Sequence, residues 1–373
     1  MKIARIDVYQ VDLPYAGGTY RLSGGRVYDS FDATIVCVIA DDGTEGWGES
    51  TPFGANYIAA HALGVRAGIA EIAPHLIGRD PRRHDRLYDA MDEALTGHAH
   101  AKAAIDNACW DIDGKAQGRP VCDLLGGRVD GRIPVISSIG GDEPEAMRAN
   151  VARHREFGFM AHSVKIGADE AEGGPALDAE RITACLADRQ PGEWFLADAN
   201  GGLTVEHALR MIRLLPDGLD FVLEAPCATW AETLALRPRC PVPLLLDELI
   251  QSDADLIHAI RTDACDGVGL KVSKQGGLTR MRRQRDICEA AGLVTSVQET
   301  TGSTIAFAAI LHAAQATPRR ILRAALDCRA MVSTATAAFN APIEQGGVIA
   351  PDAPGLGLSP DLAVLGEPVA SYE

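Results

Sequence analysis

From Ile133 to Leu326 the chain repeats one unit: a short apolar run, closed by a charged residue in all but the first, then a stretch with helical spacing. The runs are Ile133–Ser138, Ser163–Ile166, Trp194–Ala197, Phe221–Leu223, Leu244–Leu246, Gly267–Lys271, Val294–Gln298 and Ile321–Leu326. Short apolar runs of this kind are the pattern of strands covered on both faces, and a helix after each strand brings the chain back to start the next one in parallel. Eight such units within roughly 200 residues predict a parallel (β/α) barrel in preference to an open doubly wound sheet. No G-x-G-x-x-G follows any run, so a dinucleotide site lacks its usual sequence support.

The first third reads differently. Ile3 to Leu13 alternates apolar and polar positions, a Gly-rich stretch follows, and Thr34 to Ala40 is a β-branched run closed by Asp41-Asp42-Gly43, which together predict a small antiparallel sheet. From Ala59 to Gly126 the spacing becomes helical; Ala104, Ile105, Ala108 and Ile112 mark one face of a helix over Ala101–Lys115. The expected division is an α+β domain over residues 1–127, completed by the Gly- and Pro-rich tail 346–373, and a barrel over 128–345. With 47% hydrophobic and 23% charged residues, the 373-residue chain has ample apolar material for both cores.

Composition narrows the partners. A net charge of −16 argues against a nucleic-acid backbone or an anionic membrane. Neither a signal segment nor an apolar run of bilayer length is present, and the nine cysteines form no C-x-x-C pair. The reading is a soluble cytoplasmic protein with buried thiols.

Active sites of such barrels are assembled at the carboxyl ends of the strands. Here those ends carry Lys165, then Asp198 with Asn200, Glu224, Asp247-Glu248, Lys271, Glu299 and Asp327. Asp198, Glu224 and Asp247 lie on adjacent strands and would converge on one point. Three unpaired carboxylates repel one another, whereas a hard cation such as Mg²⁺ takes oxygen ligands and keeps open positions for a substrate carboxylate. Lys165 and Lys271 close strands on opposite sides of the ring and would face each other across the substrate. The α-hydrogen of a carboxylate is so weakly acidic that its removal needs the developing enediolate to be stabilised. One lysine, its pKa expected to fall through burial and a neighbouring cation, would take the proton. The other would return a proton on the opposite face or protonate a leaving group.

These motifs resemble the muconate lactonizing enzyme subgroup of the mandelate racemase-like proteins, in the enolase superfamily. The matching stretches run along the whole chain: Ala103 to Asp111 followed by Leu124-Leu125-Gly126-Gly127, Val164 to Gly167, Asp198-Ala199-Asn200, Leu223 to Pro226, Asp247-Glu248, Lys271 to Leu278, and Pro354 to Gly357. The resemblance implies an α+β capping domain over a modified (β/α) barrel and one Mg²⁺ per subunit, with Mn²⁺ as a substitute. It assigns the metal to Asp198, Glu224 and Asp247, and acid/base work to Lys165 and Lys271. One departure stands out, because the subgroup's Lys-x-Lys has Ser163 in place of its first lysine.

Within the superfamily the chain is similar to cis-3-hydroxy-L-proline dehydratases and hydroxyproline betaine 2-epimerases, through Pro52 to Tyr57, His61 to Gly64 and Pro368 to Ser371. The betaine enzymes meet a quaternary ammonium with a tryptophan after the eighth strand. At that place this chain has Asp327, which suits a secondary ammonium able to donate a hydrogen bond. In cis-3-hydroxyproline the α-hydrogen lies on the face opposite the hydroxyl, so dehydration is an anti elimination suited to opposed lysines. The expected activity is dehydration of cis-3-hydroxy-L-proline to a pyrroline carboxylate, with Ser163, Asn200, Glu299, Asp327, Tyr57 and Tyr20 against the substrate. The alternatives are 2-epimerisation of proline, hydroxyproline or their betaines, dipeptide epimerisation, and muconate cycloisomerisation. Dipeptide epimerases carry Asp-x-Asp where this chain has Asp327-Cys328-Arg329. A non-catalytic, metal-stabilised barrel is the reading from another class. The expected partners are a small cyclic amino acid and further copies of the chain in a homo-oligomer. His61, His98 and His100, on helical sequence away from the strand ends, are expected to be core or cap residues.

Overall fold

The structure is a computed structural model that describes residues 1–373. It begins with five strands, β1 (Ile3–Pro14), β2 (Tyr20–Leu22), β3 (Arg26–Tyr28), β4 (Ser30–Ala40) and β5 (Glu45–Ser50), and continues into helices α1 (Ala62–Ile72), α2 (His84–Ala94) and α3 (Ala99–Gln117). β1, β4 and β5 form an antiparallel sheet, while β2 and β3 make a separate hairpin within the Gly-rich stretch. The sheet has two apolar faces, as the period of two requires. Tyr9, Val11 and Leu13 of β1, with Phe31, Ala33 and Ile35 of β4, join the core of the barrel. Ile6, Val8, Val36 and Val38 point the other way and pack with Val65, Ile69, Ile105 and Ile112 of α1 and α3.

β5 lies directly on α3. A Cβ on Gly46 would come 2.0 Å from the Ala108 carbonyl oxygen, and one on Gly48 would come 2.1 Å from that of Ala104. Only glycine permits this approach of strand to helix backbone. Asp111 of α3 then accepts from Trp47 N at 3.0 Å and from Leu356 N at 2.7 Å, so one buried carboxylate ties β5 and the C-terminal segment to the helix.

The barrel strands are β6 (Ile133–Ile139), β7 (Ala161–Lys165), β8 (Trp194–Asp198), β9 (Val222–Glu224), β10 (Leu244–Leu246), β11 (Gly267–Lys271), β12 (Val294–Gln298) and β13 (Leu322–Leu326). All neighbours are parallel, and the ring closes through Ala325↔Val135 and Leu326↔Ile136. The eight expected strands all form, with ends displaced by at most two residues. Helices follow the first seven strands: Pro144–Glu156, Gly174–Leu186, Val205–Leu214, Trp230–Leu236, Asp253–Arg261, Leu278–Ala291 and Thr304–Gln315. After β13 there is only a 3₁₀ turn over Cys328–Met331 before the chain leaves in extended form.

That departure is used. β14 (Ala337–Phe339) pairs with β16 (Leu358–Pro360), β15 (Gly347–Val348) adds antiparallel to β6, and β17 (Ala370–Tyr372) adds to the free edge of β1. The tail thus serves both the barrel and the first sheet, whereas the sequence had assigned it to the first domain alone. Every residue of the helix Thr304–Gln315 is buried, because β5, β14 and β16 cover the side turned away from the barrel. Its sequence, apolar all round, is that of a helix with no solvent face. No helix is long and apolar enough to cross a membrane.

Candidate active site

The strand register sets the site at one level. Lys165 pairs with Asp198 and Asp198 with Glu224, so the last residues of β7, β8 and β9 are side by side on the ring, and Lys271 pairs with Gln298, so those of β11 and β12 are too. Asp247 follows β10 immediately. The backbone turns sharply just beyond: Asn200 has φ 46° and Ala225 has φ 41°. Left-handed conformations cost energy for residues other than glycine, least for asparagine, and concentrate at functional sites.

Asp198, Glu224 and Asp247 are all buried, and so are both lysines. Lys165 donates to Asp198 Oδ2, and Lys271 lies 2.5 Å from Asp247 Oδ2. Burial alone would lower both lysines, but Asp198 beside Lys165 and Asp247 beside Lys271 hold them above the ordinary ammonium range. Glu224 is the unpaired member. Burial, then the charges of Asp198 and Asp247, push its carboxyl far up, and its Oε2 has no hydrogen-bond partner. Burial would raise Asp247 too, but the ammoniums of Lys271 and Lys274 outweigh it and hold the carboxyl below the usual range.

Three acceptor-only side chains at one level, with a buried orphan oxygen among them, are a donor set that fits a hard divalent cation. Elsewhere, Glu170, Glu206 and His207 bring donor atoms within 4.8 Å of one another, but the two glutamates are exposed and Glu170 is engaged by Arg210. That group belongs to the solvated surface.

The first domain supplies a roof. Phe53 stacks edge-on against Tyr20, Tyr28 and Tyr57, with ring centroids 5.4, 4.7 and 5.8 Å apart. Tyr57 reaches down into the charged cluster: Lys271 donates to its oxygen at 2.7 Å, and its hydroxyl donates to Glu248 Oε1 at 2.7 Å. Asn200 donates from Nδ2 to Glu248 Oε1 at 3.0 Å and to Asp198 Oδ2 at 3.1 Å, and from its backbone N to Asp198 Oδ1 at 2.9 Å. On the other side Tyr20 and Ser138 share a hydrogen bond of 2.6 Å. Beneath these rings is a small chamber of about 30 Å³ whose wall includes Tyr20, Tyr57, Ser163, Lys165, Lys271 and Glu299. On the far side of Tyr57 and Glu248 a wider cleft of about 660 Å³ opens between the two domains.

Of the residues expected in the site, Lys165, Lys271, Asp198, Ser163, Glu299, Tyr20 and Tyr57 line the chamber. Glu224, Asp247 and Asn200 stand behind them, off its wall. Glu299 accepts from Ser273 N at 2.8 Å and Thr300 N at 3.0 Å, and burial pushes its carboxyl up to about 7. Asp327 departs from expectation. Both its oxygens are taken by the Arg329 guanidinium, at 2.9 and 2.7 Å, and it does not reach the chamber. A bidentate arginine pair satisfies a carboxylate more fully than a single ammonium would. Sequence reasoning passed over Lys274, Gln298 and Ser138. The first of these was visible, three residues after Lys271 and therefore on the same face of any helical turn. His61 caps α1 by accepting from Gly64 N at 3.2 Å, and His100 shares a 2.9 Å hydrogen bond with Ser50 Oγ.

Comparison with known proteins agrees with this architecture. Residues 27–126 match the mandelate racemase / muconate lactonizing enzyme N-terminal domain, and residues 146–364 match the enolase C-terminal domain-like family. A cis-3-hydroxy-L-proline dehydratase of Roseibium aggregatum is 39% identical over 373 residues, all of both chains. An N-succinyl-L-Arg/Lys racemase of Bacillus cereus is 28% identical over 319 residues, 84% of each chain. Among solved structures, a magnesium-complexed protein of Roseovarius nubinhibens, described as a mandelate racemase/muconate lactonizing enzyme, is 66% identical, with a TM-score of 0.99 over the whole of both chains.

Proposed function

The chain belongs to the mandelate racemase/muconate lactonizing enzyme family of the enolase superfamily, and from that premise we propose that it dehydrates cis-3-hydroxy-L-proline to a pyrroline carboxylate. It is an enzyme of the lyase or isomerase type, as its relatives are. The observation that carries the specific reading is the placing of Lys165 and Lys271. They come from β7 and β11, four strands apart on an eight-strand ring, and both line one small chamber. The full-length similarity to a dehydratase supports the choice of substrate.

Asp198, Glu224 and Asp247 would hold one Mg²⁺. When bound, the cation supplies electrostatic stabilisation to the substrate carboxylate as charge develops at the α-carbon. The chain's own residues do the rest. A neutral lysine on the face of the α-hydrogen takes it as a proton, the electron pair left on the α-carbon forms the double bond to C3, and the C3–O bond breaks. The opposite lysine delivers a proton to the departing oxygen, which leaves as water. The enamine then tautomerises to the cyclic imine. Burial by itself favours a neutral amine, so a base at either lysine requires its carboxylate partner to be engaged by something other than the ammonium.

Tyr20 on the Lys165 side and Tyr57 on the Lys271 side would flank the ring, with Ser163 and Glu299 completing the contact surface. Tyr57, which Lys271 and Glu248 hold by hydrogen bonds, would form the roof over the bound ring. Asn200 acts through Asp198 and Glu248 rather than on the substrate. Asp327 remains the candidate for the substrate ammonium only if Arg329 releases it.

The test is incubation of the Mg²⁺-loaded enzyme with cis-3-hydroxy-L-proline, L-proline and proline betaine in D₂O, followed by NMR. The expected result is conversion of the hydroxyproline to the pyrroline carboxylate. Exchange of the α-hydrogen of proline or its betaine without dehydration of the hydroxyproline would move the assignment to a 2-epimerase. No change in any of the three would overturn the proline reading.

A further inference from the structure

In each of the three carboxylates read as cation ligands one oxygen is held by a donor other than Lys165 and Lys271; the second oxygen of Asp198 takes Lys165 and Asn200 Nδ2, that of Asp247 takes Lys271, and that of Glu224 has no partner. Asn200 N lies 2.9 Å from Asp198 Oδ1, Gln298 Nε2 lies 2.9 Å from Glu224 Oε1, and Lys274 Nζ lies 2.6 Å from Asp247 Oδ1. Two of these donors are neutral. The third is an ammonium, buried, on a residue to which the acid/base chemistry assigns nothing. Lys274 also donates to the main-chain carbonyl of Asp247, so it grips both the backbone and the side chain of that residue.

The placing of Lys274 is built into the chain. The short helical turn Val272–Gln275 is held at its start by Glu299, which accepts from Ser273 N, and at its end by Gln275 Nε2, which donates to Ile250 O at 3.3 Å. Gly276 and Gly277 then turn the chain at φ 99° and 107°. A Cβ on Gly276 would lie 1.9 Å from the Tyr88 hydroxyl, and one on Gly277 would lie 2.5 Å from Asp106 Oδ2. Lys271 and Lys274, three residues apart, therefore arrive on the two oxygens of one carboxylate.

We infer that Lys274 is a positioning residue of the cation site: by tying Oδ1 and the carbonyl of Asp247 it makes Oδ2, on which Lys271 lies at 2.5 Å in this structure, the oxygen that turns to the cation. The inference rests on the reading of Asp247 as a ligand. The alternative role, a charge that merely offsets the neighbouring acids, predicts the opposite sign. Removing a positive charge beside a dication's ligands raises affinity by Coulomb's law, whereas releasing a ligand from its outer partner lowers affinity, typically about 10–100-fold.

The experiment is a titration of the full chain with Mn²⁺ alone, followed by the EPR signal of the free ion, for the wild type, Lys274→Met and Lys274→Gln, with circular dichroism to establish folding. The expected result is Mn²⁺ binding about 10–100-fold weaker in Lys274→Met. Lys274→Gln keeps a donor without the charge and is expected to fall between Lys274→Met and wild type. Should Lys274→Met fail to fold, Lys274→Gln alone decides, since binding weaker than wild type supports positioning. Affinity equal to or above wild type in a folded variant would overturn it. A wild-type chain that binds no Mn²⁺ would overturn the ligand reading itself, and this inference with it.

Discussion

Lys165 and Lys271 are legible in the sequence because each closes an apolar run, and the register then places them on opposite sides of one chamber. Replacing either with alanine is expected to lower turnover of the hydroxyproline by about 10²–10⁴-fold, with the fold intact by circular dichroism. Full turnover in Lys271→Ala would end the two-lysine mechanism. Asp327 teaches the opposite lesson. From sequence it was an acid beside a substrate ammonium, but Arg329, two residues on, swings back and takes both oxygens. Asp327→Asn is therefore expected to cost about 2 kcal/mol of stability, as losing hydrogen bonds to a charged group does, while KM changes little. Urea unfolding and steady-state kinetics on the same preparation separate the two. A large rise in KM at unchanged stability would return Asp327 to the substrate.

At the scale of elements, the period of each segment was readable and the approach of one segment to another was not. β4 reads as a continuous apolar run because both of its faces are covered, one by the barrel and one by α1 and α3. β5 was missed because Glu45-Gly46-Trp47-Gly48-Glu49 carries two glycines, which weaken any strand pattern. Those glycines are what let β5 touch the backbone of α3. Gly48→Ala would force a methyl group against the Ala104 carbonyl. The expected cost is about 1–3 kcal/mol, the usual range for overpacking, read as a lower urea midpoint with no change in the chemistry of residual activity. Glu49, next in line, accepts from Ser303 N at 2.8 Å and Ala306 N at 3.1 Å, so β5 also caps the buried helix Thr304–Gln315 from the other domain. This contact spans more than 250 residues of sequence, and no local pattern encodes it.

For the whole molecule, burial of ionisable groups sets the response to pH. His100 is held down to about 3, His162 to about 4 and His312 to about 4, in each case chiefly by burial. An unfolded chain has these imidazoles near 6.5, so between about pH 6.5 and 4 it binds more protons than the native state. Their contribution to stability is complete above about 6.5 and is lost as pH falls toward 4. Two buried acids act in the reverse sense: Asp106, raised to about 6, and Glu299, raised to about 7, favour the native state at low pH and lose that contribution as pH rises through those values. Glu49, Asp111, Asp178, Glu224 and Glu248 are raised by burial in the same sense as these two acids. The imidazole contribution is therefore read from a variant: His312→Gln is expected to lose less of its urea midpoint between pH 7 and pH 5 than the wild type, and an equal loss in the two proteins would contradict it.

Strand count, the order of charged residues at strand ends and the family could all be taken from the sequence, because hydrophobic periodicity and short motifs are local properties of the chain. The three carboxylates and two lysines belong to that class of information. Tertiary structure alone decided which donors hold the oxygens of each carboxylate, that Asp327 turns to Arg329, that Tyr57 reaches over to Lys271, and that the tail divides between β6 and β1. These depend on side-chain rotamers and on contacts between segments far apart in sequence. A residue's partners are set by where the whole fold carries it, and the same carboxylate can serve a cation, an arginine or a lysine according to which the fold holds within hydrogen-bonding reach.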